Sequence, residues 1–197
     1  MKALDLVLFH WMAAGFEPRP WLVAVAAAIA VGGPWFSAAL LGWMAWRQPS
    51  QRSYLMAVLV FAALAAVLAH SIAAALDLPR PFMLGLSPAY IAHGARGSLP
   101  SAHAAVMFTA ALLCLARPAL RGAGAAIFAI AVLTGWARIH VGVHFPGDIV
   151  AGLLLALALA GLFLGLRHLV RRHVAPMIAR DGPGRRAMAA PPGSPGP

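Results

Sequence analysis

Apolar residues run along this chain in blocks, and the polar residues collect between them. Blocks cover about 20–46, 54–77, 101–116, 123–141 and 147–168. A helix crosses a bilayer with roughly 17–25 apolar residues, so the pattern predicts about five membrane helices. The third block is short and opens directly on Ser101, which places its start at the membrane rim. Ahead of the blocks, Leu4, Leu6, Val7, Leu8, Trp11 and Met12 fall largely on one side of a helix. They predict a short amphipathic helix lying at the surface, with Trp11 at the interface. Asp5 and His10 interrupt this run and argue against a cleaved signal peptide. The fold class is an all-α polytopic bundle, one membrane-embedded domain over residues 1–180. Gly32-Gly33 and Gly122/Gly124 suit close helix approach in lipid. Pro34 is placed to kink the first long helix.

Composition agrees with the pattern. The 197 residues are 62% hydrophobic and 10% charged, against roughly 25% charged in soluble domains. The net charge of +10 does not mark a nucleic-acid partner, because the basic residues sit at the ends of apolar blocks. Arg47, Arg52, Arg117, Arg121, Arg167, Arg171, Arg172, Arg180, Arg185 and Arg186 fall on one side of a five-helix topology. The positive-inside bias makes that side cytoplasmic. The loop 78–100 and the turn near 142–147 then share the opposite face. Residues 181–197, rich in Pro, Gly and Arg, predict a disordered cytoplasmic tail. The single cysteine, Cys114, excludes a disulfide within the chain.

On that opposite face lie the polar residues with chemistry. Ionisable groups beside membrane helices are costly and mark sites. His144 and Asp148 are spaced i, i+4, with Pro146 between them suited to a first helical turn. Asp148 can hold one imidazole nitrogen and leave the other as a nucleophile toward phosphorus; taken alone, the pair reads more readily as a helix cap at a wet interface. Ser101-Ala102-His103 opens the third block, and helix N-termini bind anions. Ser101 can cap that helix and donate to a phosphate oxygen, and His103 can act as general acid; the plainer alternative is a cap and an interfacial histidine. Arg80, between Pro79 and Pro81, and Arg138 supply guanidinium forks for phosphate. Either alone could be an arginine snorkelling to headgroups. No cluster of carboxylates accompanies them, so the residues predict metal-independent phosphoryl transfer through a phosphohistidine at His144, with no cofactor. Arg96 can assist a second phosphate or be a loop charge. His93 reads as a solvated loop residue, His70 as a hydrogen bond between helices, and His140 as a possible flank of the pocket. Phe82 and Tyr90 read as interface residues or as the lining of a lipid entrance.

The segments LDLPRPF, LPSAH and ARIHVGVHFPGD resemble the signatures of the type 2 phosphatidic acid phosphatase superfamily. The likeness spans Arg80 to Asp148. Ala73 stands where that family carries a lysine, Ala102 where it carries glycine, and Ala137 where it carries serine. The resemblance implies a helical core of the acid-phosphatase and haloperoxidase type. It implies that Arg80, Ser101, Ala102 and Arg138 bind phosphate, His103 is the acid, His144 the nucleophile and Asp148 its orienting partner. The chain also resembles the bacterial undecaprenyl-diphosphate phosphatases of this family. That implies a phosphorylated polyprenyl lipid as substrate, other membrane lipids around it, and an inner-membrane enzyme whose site faces the periplasm. Another phosphorylated lipid (phosphatidylglycerol phosphate, phosphatidic acid or lipid A) and an inactive lipid-binding protein are the competing expectations.

Overall fold

A computed structural model describes residues 3–174; the predicted tail over 181–197 lies outside them. The described residues are helical, with no strand among them. The helices are α1 (Ala3–Met12), α2 (Pro20–Arg47), α3 (Arg52–Leu76), α4 (Ala102–Leu115), α5 (Arg121–His140) and α6 (Pro146–Leu169). Residues 1–160 make one compact unit. A second runs from Gly161 to Pro197, and its described part is the end of α6 and a π-helical turn over Val170–Val174.

Among the described residues, four helices are long and apolar enough to cross a membrane: α2, α3, α5 and α6. The fifth expected span, α4, has 14 residues, about 21 Å at 1.5 Å per residue, against about 30 Å of hydrocarbon. Its burial explains how it can be short. α4 packs against both α3 and α5, and nine of its residues, including Met107, Phe108, Leu113 and Cys114, are buried. A helix enclosed by neighbours need not match the bilayer.

Small residues set the helix spacing, but only one of each predicted glycine pair is used. A Cβ on Gly33 would meet Thr134 of α5, and one on Gly124 would meet the α4 backbone at Ala111 and Leu115. Gly32 and Gly122 approach no neighbouring helix. α2 runs unbroken through Pro34, whose missing N–H leaves the Ala30 carbonyl without its helical donor.

The α2–α3 and α4–α5 connections share one end of this unit. Arg117 Nε donates to Gln51 Oε1 at 2.8 Å, and its guanidinium lies over the Tyr54 ring at 5.3 Å. The loop from Asp77 to Ser101 and the α5–α6 turn lie together at the other end. Tyr90 N–H donates to Val141 O at 3.1 Å and Ser101 N–H to Asp148 O at 3.0 Å. Gly142 makes this close pairing possible. Its φ is +80°, and a Cβ there would stand 2.3 Å from Pro88 O.

α1 differs from its expected arrangement. Its anchor is Phe9, fully buried against Ile139 and Phe145. Leu4, Val7, Leu8 and Trp11 point outward, so the helix is apolar on both faces. Asp5 is no mere interruption: its carboxylate accepts the Gly147 N–H at 2.8 Å, satisfying a free donor at the start of α6. His140 donates from Nδ1 to Met12 O at 2.8 Å and stacks on Trp136, which ties α1 to the end of α5.

Candidate active site

The site is organised around the start of α6. Pro146 occupies the first helical position, and Asp148 follows in the same turn. Asp148 Oδ2 accepts the Phe145 backbone N–H at 2.8 Å, the acidic half of a capping box. The same oxygen accepts from the Ser98 hydroxyl and from His144 Nδ1 at 3.1 Å. An ionised carboxylate has no proton to give, so Nδ1 carries the hydrogen. The lone pair is therefore on Nε2, which lies 3.2 Å from Arg80 Nη1. Burial pushes the His144 imidazole down to about 4, against the opposing pull of its Asp148 hydrogen bond. At neutral pH the ring is uncharged.

Arg80 is held by backbone. Its Nε donates to Arg96 O at 2.8 Å, Nη2 to Gly97 O at 3.0 Å and Nη1 to Val143 O at 2.9 Å. These bonds fasten the loop to the α5–α6 turn and fix the guanidinium beside His144. Of its five N–H groups, three go to carbonyls and one faces His144, leaving one Nη2 hydrogen free for a ligand. Gly97 has to be glycine here, because a Cβ would fall 2.0 Å from Ala73 O.

Arg138 comes from the last turn of α5 and is buried. Its partners are distant: Ala30 O at 3.5 Å and His93 Nε2 at 3.5 Å. Its buried Nε has no partner. The Ala30 carbonyl it reaches is the one that Pro34 leaves unbonded. A guanidinium enclosed with spare donors is suited to an anion with several oxygens.

Both arginines and His144 line a cavity of about 860 Å³, together with His103, Ala102 and Arg96. Of the predicted site residues, Ser101 and Asp148 are not part of this lining. Asp148 sits behind His144. Ser101 is buried and caps α4, its Oγ accepting the Ala104 N–H at 3.5 Å. Arg96 contributes its carbonyl to Arg80, and its side chain is exposed. His140 is committed to α1. Phe82 and Tyr90 pack against a cluster that includes Ala137 and Val141, and the Tyr90 hydroxyl donates to Gly15 O at 2.7 Å.

Two histidines depart from the sequence reading. His70 lines the cavity beside Ala73, and its Nδ1 donates within its own helix, to Ala66 O at 2.7 Å, not across helices. His93 is half-buried in the cavity wall, its ring centroid 5.9 Å from that of His144. Burial and the charges of Arg80 and Arg138 push it down to about 3. Loop residues carry no periodicity, and the only clue in the sequence was that His93 lies between Arg80 and Ser101.

Residues 54–172 match the family model described as the PAP2 superfamily. The chain belongs to the PAP2 superfamily. It is 29% identical over 158 residues to "Putative undecaprenyl-diphosphatase YbjG" of Escherichia coli (strain K12), covering 78% of each chain. It is 34% identical over 96 residues to undecaprenyl-diphosphatase BcrC of Bacillus subtilis (strain 168), covering 49% of each. The crystal structure of Aquifex aeolicus LpxE superposes with a TM-score of 0.69 at 26% identity, covering 83% of this chain and 96% of that one. A transmembrane PAP2-type phosphatidylglycerolphosphate phosphatase from Bacillus subtilis shares the fold, with a TM-score of 0.64 at 21% identity over 87% and 88% of the two chains. The protein is a multi-pass PAP2 membrane lipid phosphatase.

Proposed function

We propose that this phosphatase hydrolyses undecaprenyl diphosphate to undecaprenyl phosphate at the outer face of the bacterial inner membrane, recycling the carrier lipid of cell-wall synthesis. The observation that carries the chemistry is the His144 Nε2 lone pair, set by Asp148 and facing a cavity that holds two guanidinium groups. Nε2 attacks the terminal phosphorus. The bond from that phosphorus to the bridging oxygen breaks, and undecaprenyl phosphate leaves. His103 protonates the leaving oxygen where its basicity demands it. Water then attacks the phosphohistidine, gives its proton to His103, and frees inorganic phosphate and the imidazole. Arg80 and Arg138 hold the equatorial oxygens, where negative charge spreads in the transition state. This arrangement works without a metal ion.

The choice of lipid is supported by the names of the two curated relatives. The outward orientation is supported by the arginines at the opposite end of the bundle, with the C-terminus cytoplasmic. A cavity at the membrane rim suits a lipid whose headgroup reaches the arginines while its chain stays in the bilayer.

The test is phosphate release from undecaprenyl diphosphate and from phosphatidic acid, phosphatidylglycerol phosphate and lipid A, with the wild type and His144→Ala. The diphosphate is expected to have the highest kcat/KM. His144→Ala is expected to lose at least ~10³-fold in turnover while still accumulating as folded protein. A preference for a monophosphate lipid overturns the substrate, and an active His144→Ala overturns the covalent route.

A further inference from the structure

We propose that His93 binds the transferred phosphoryl group directly, donating from Nε2 to one of its oxygens with a proton taken from solvent as the anion enters. The proposal rests on the phosphatase reading above and deepens it.

The loop holds His93 in place from both sides. On one side the Tyr90 N–H is bonded to Val141 O. On the other, the Arg96 and Gly97 carbonyls are bonded to Arg80. The intervening residues bridge two fixed points and set His93 into the cavity wall. Its ring meets His144 edge-on, with an interplanar angle of 64°, and its Nε2 lies 3.5 Å from Arg138 Nη2. It therefore stands beside both the attacking nitrogen and a guanidinium with open donors.

The charges facing His93 decide its state. They are Arg80 from the loop, Arg138 from α5, and the imidazoles of His103 from α4 and His144 from the α5–α6 turn. Asp77, Arg96 and His70 line the same cavity, and Asp148, outside that lining, accepts from Ser98, His144 and Phe145. A third cation beside two guanidinium groups is unfavourable, so without an anion His93 is neutral and its Nε2 accepts from Arg138. A phosphate dianion reverses the local field. Its oxygens take over the Arg138 donor, and the freed Nε2 can then hold a proton. One proton moves from bulk water to Nε2 for each anion bound, and no bond between heavier atoms changes. Neither role assigned to the other histidines, nucleophile or leaving-group acid, accounts for this imidazole.

The linkage has a definite sign. Affinity for a dianion falls as pH rises, from just above the free His93 value near 3 up to its value in the complex, tenfold per pH unit for each proton taken up. Tungstate is a suitable probe, because it remains a tetrahedral dianion around neutral pH. The experiment measures its competitive inhibition constant against lipid hydrolysis from about pH 5 to about pH 8. The wild type is expected to weaken at least tenfold per unit over part of this range. His93→Gln keeps an N–H donor but cannot titrate. It is expected to bind about tenfold more weakly at the acidic end, with the slope reduced by one proton. A purely structural role for His93 would move the unfolding midpoint and leave the slope alone. If His93→Gln does not accumulate as folded protein, His93→Asn is read in the same way. A slope and inhibition constant equal to the wild type overturn the proposal while the phosphatase reading stands. A wild type that neither hydrolyses lipid phosphates nor binds tungstate brings down both.

Discussion

Asp148 illustrates how one side chain can serve fold and chemistry at once. Its Oδ2 accepts the Phe145 N–H, which starts α6, and the His144 Nδ1–H, which aims the proposed nucleophile. Capping and catalysis therefore cannot be separated by looking at i, i+4 spacing; they are the same set of bonds. A pH prediction follows at this scale. Only neutral His144 attacks, so kcat/KM is expected to fall as pH drops through about 4, well below an unperturbed imidazole near 6.5. Asp148 raises the His144 value, so Asp148→Asn should move this acidic limb still lower. The same substitution should reduce kcat by roughly 10³–10⁴, as loss of the orienting carboxylate does in comparable pairs. A limb that stays in place, read from kcat/KM profiles of both proteins, would break the link between the two residues.

Among the elements, α2 has an unexpected part. Pro34 was legible as an irregularity, and its effect is on a carbonyl and not on the helix's continuity. By withholding an N–H it leaves Ala30 O available, and Arg138 of α5 donates there. Replacing Pro34 with Ala lets the helix reclaim that carbonyl. One backbone hydrogen bond is gained and one anchor of Arg138 is lost. The unfolding midpoint of Pro34→Ala should rise, while kcat/KM falls about fivefold, the value of roughly 1 kcal/mol for one hydrogen bond. Thermal unfolding and steady-state kinetics on the same preparation check both signs. A loss of stability together with unchanged activity would remove Pro34 from the site.

The whole molecule separates charge from chemistry. In the unit over residues 1–160, the connections carrying Arg47, Arg52, Arg117 and Arg121 lie at one end and the cavity at the other. Cys114 is buried, so single cysteines introduced elsewhere report exposure. Gly94→Cys at the exposed cavity mouth should react with an impermeant maleimide in intact spheroplasts, and Ser50→Cys only after detergent; the reverse pattern would turn the site toward the cytosol. Much of this was legible in the sequence. Block lengths located the helices, since crossing hydrocarbon demands long apolar runs, and fixed spacing brought out His144 with Asp148 and Ser101 with His103, since those pairs lie within one or two turns. Tertiary packing decided the rest: that α4 is enclosed and so can be short, that Phe9 anchors α1, that Arg80 is gripped by carbonyls of residues 96, 97 and 143, and that His93 joins the cavity. These relations link residues far apart in the chain through loops without periodicity. Local spacing carries no record of them, because only the folded backbone brings the partners together.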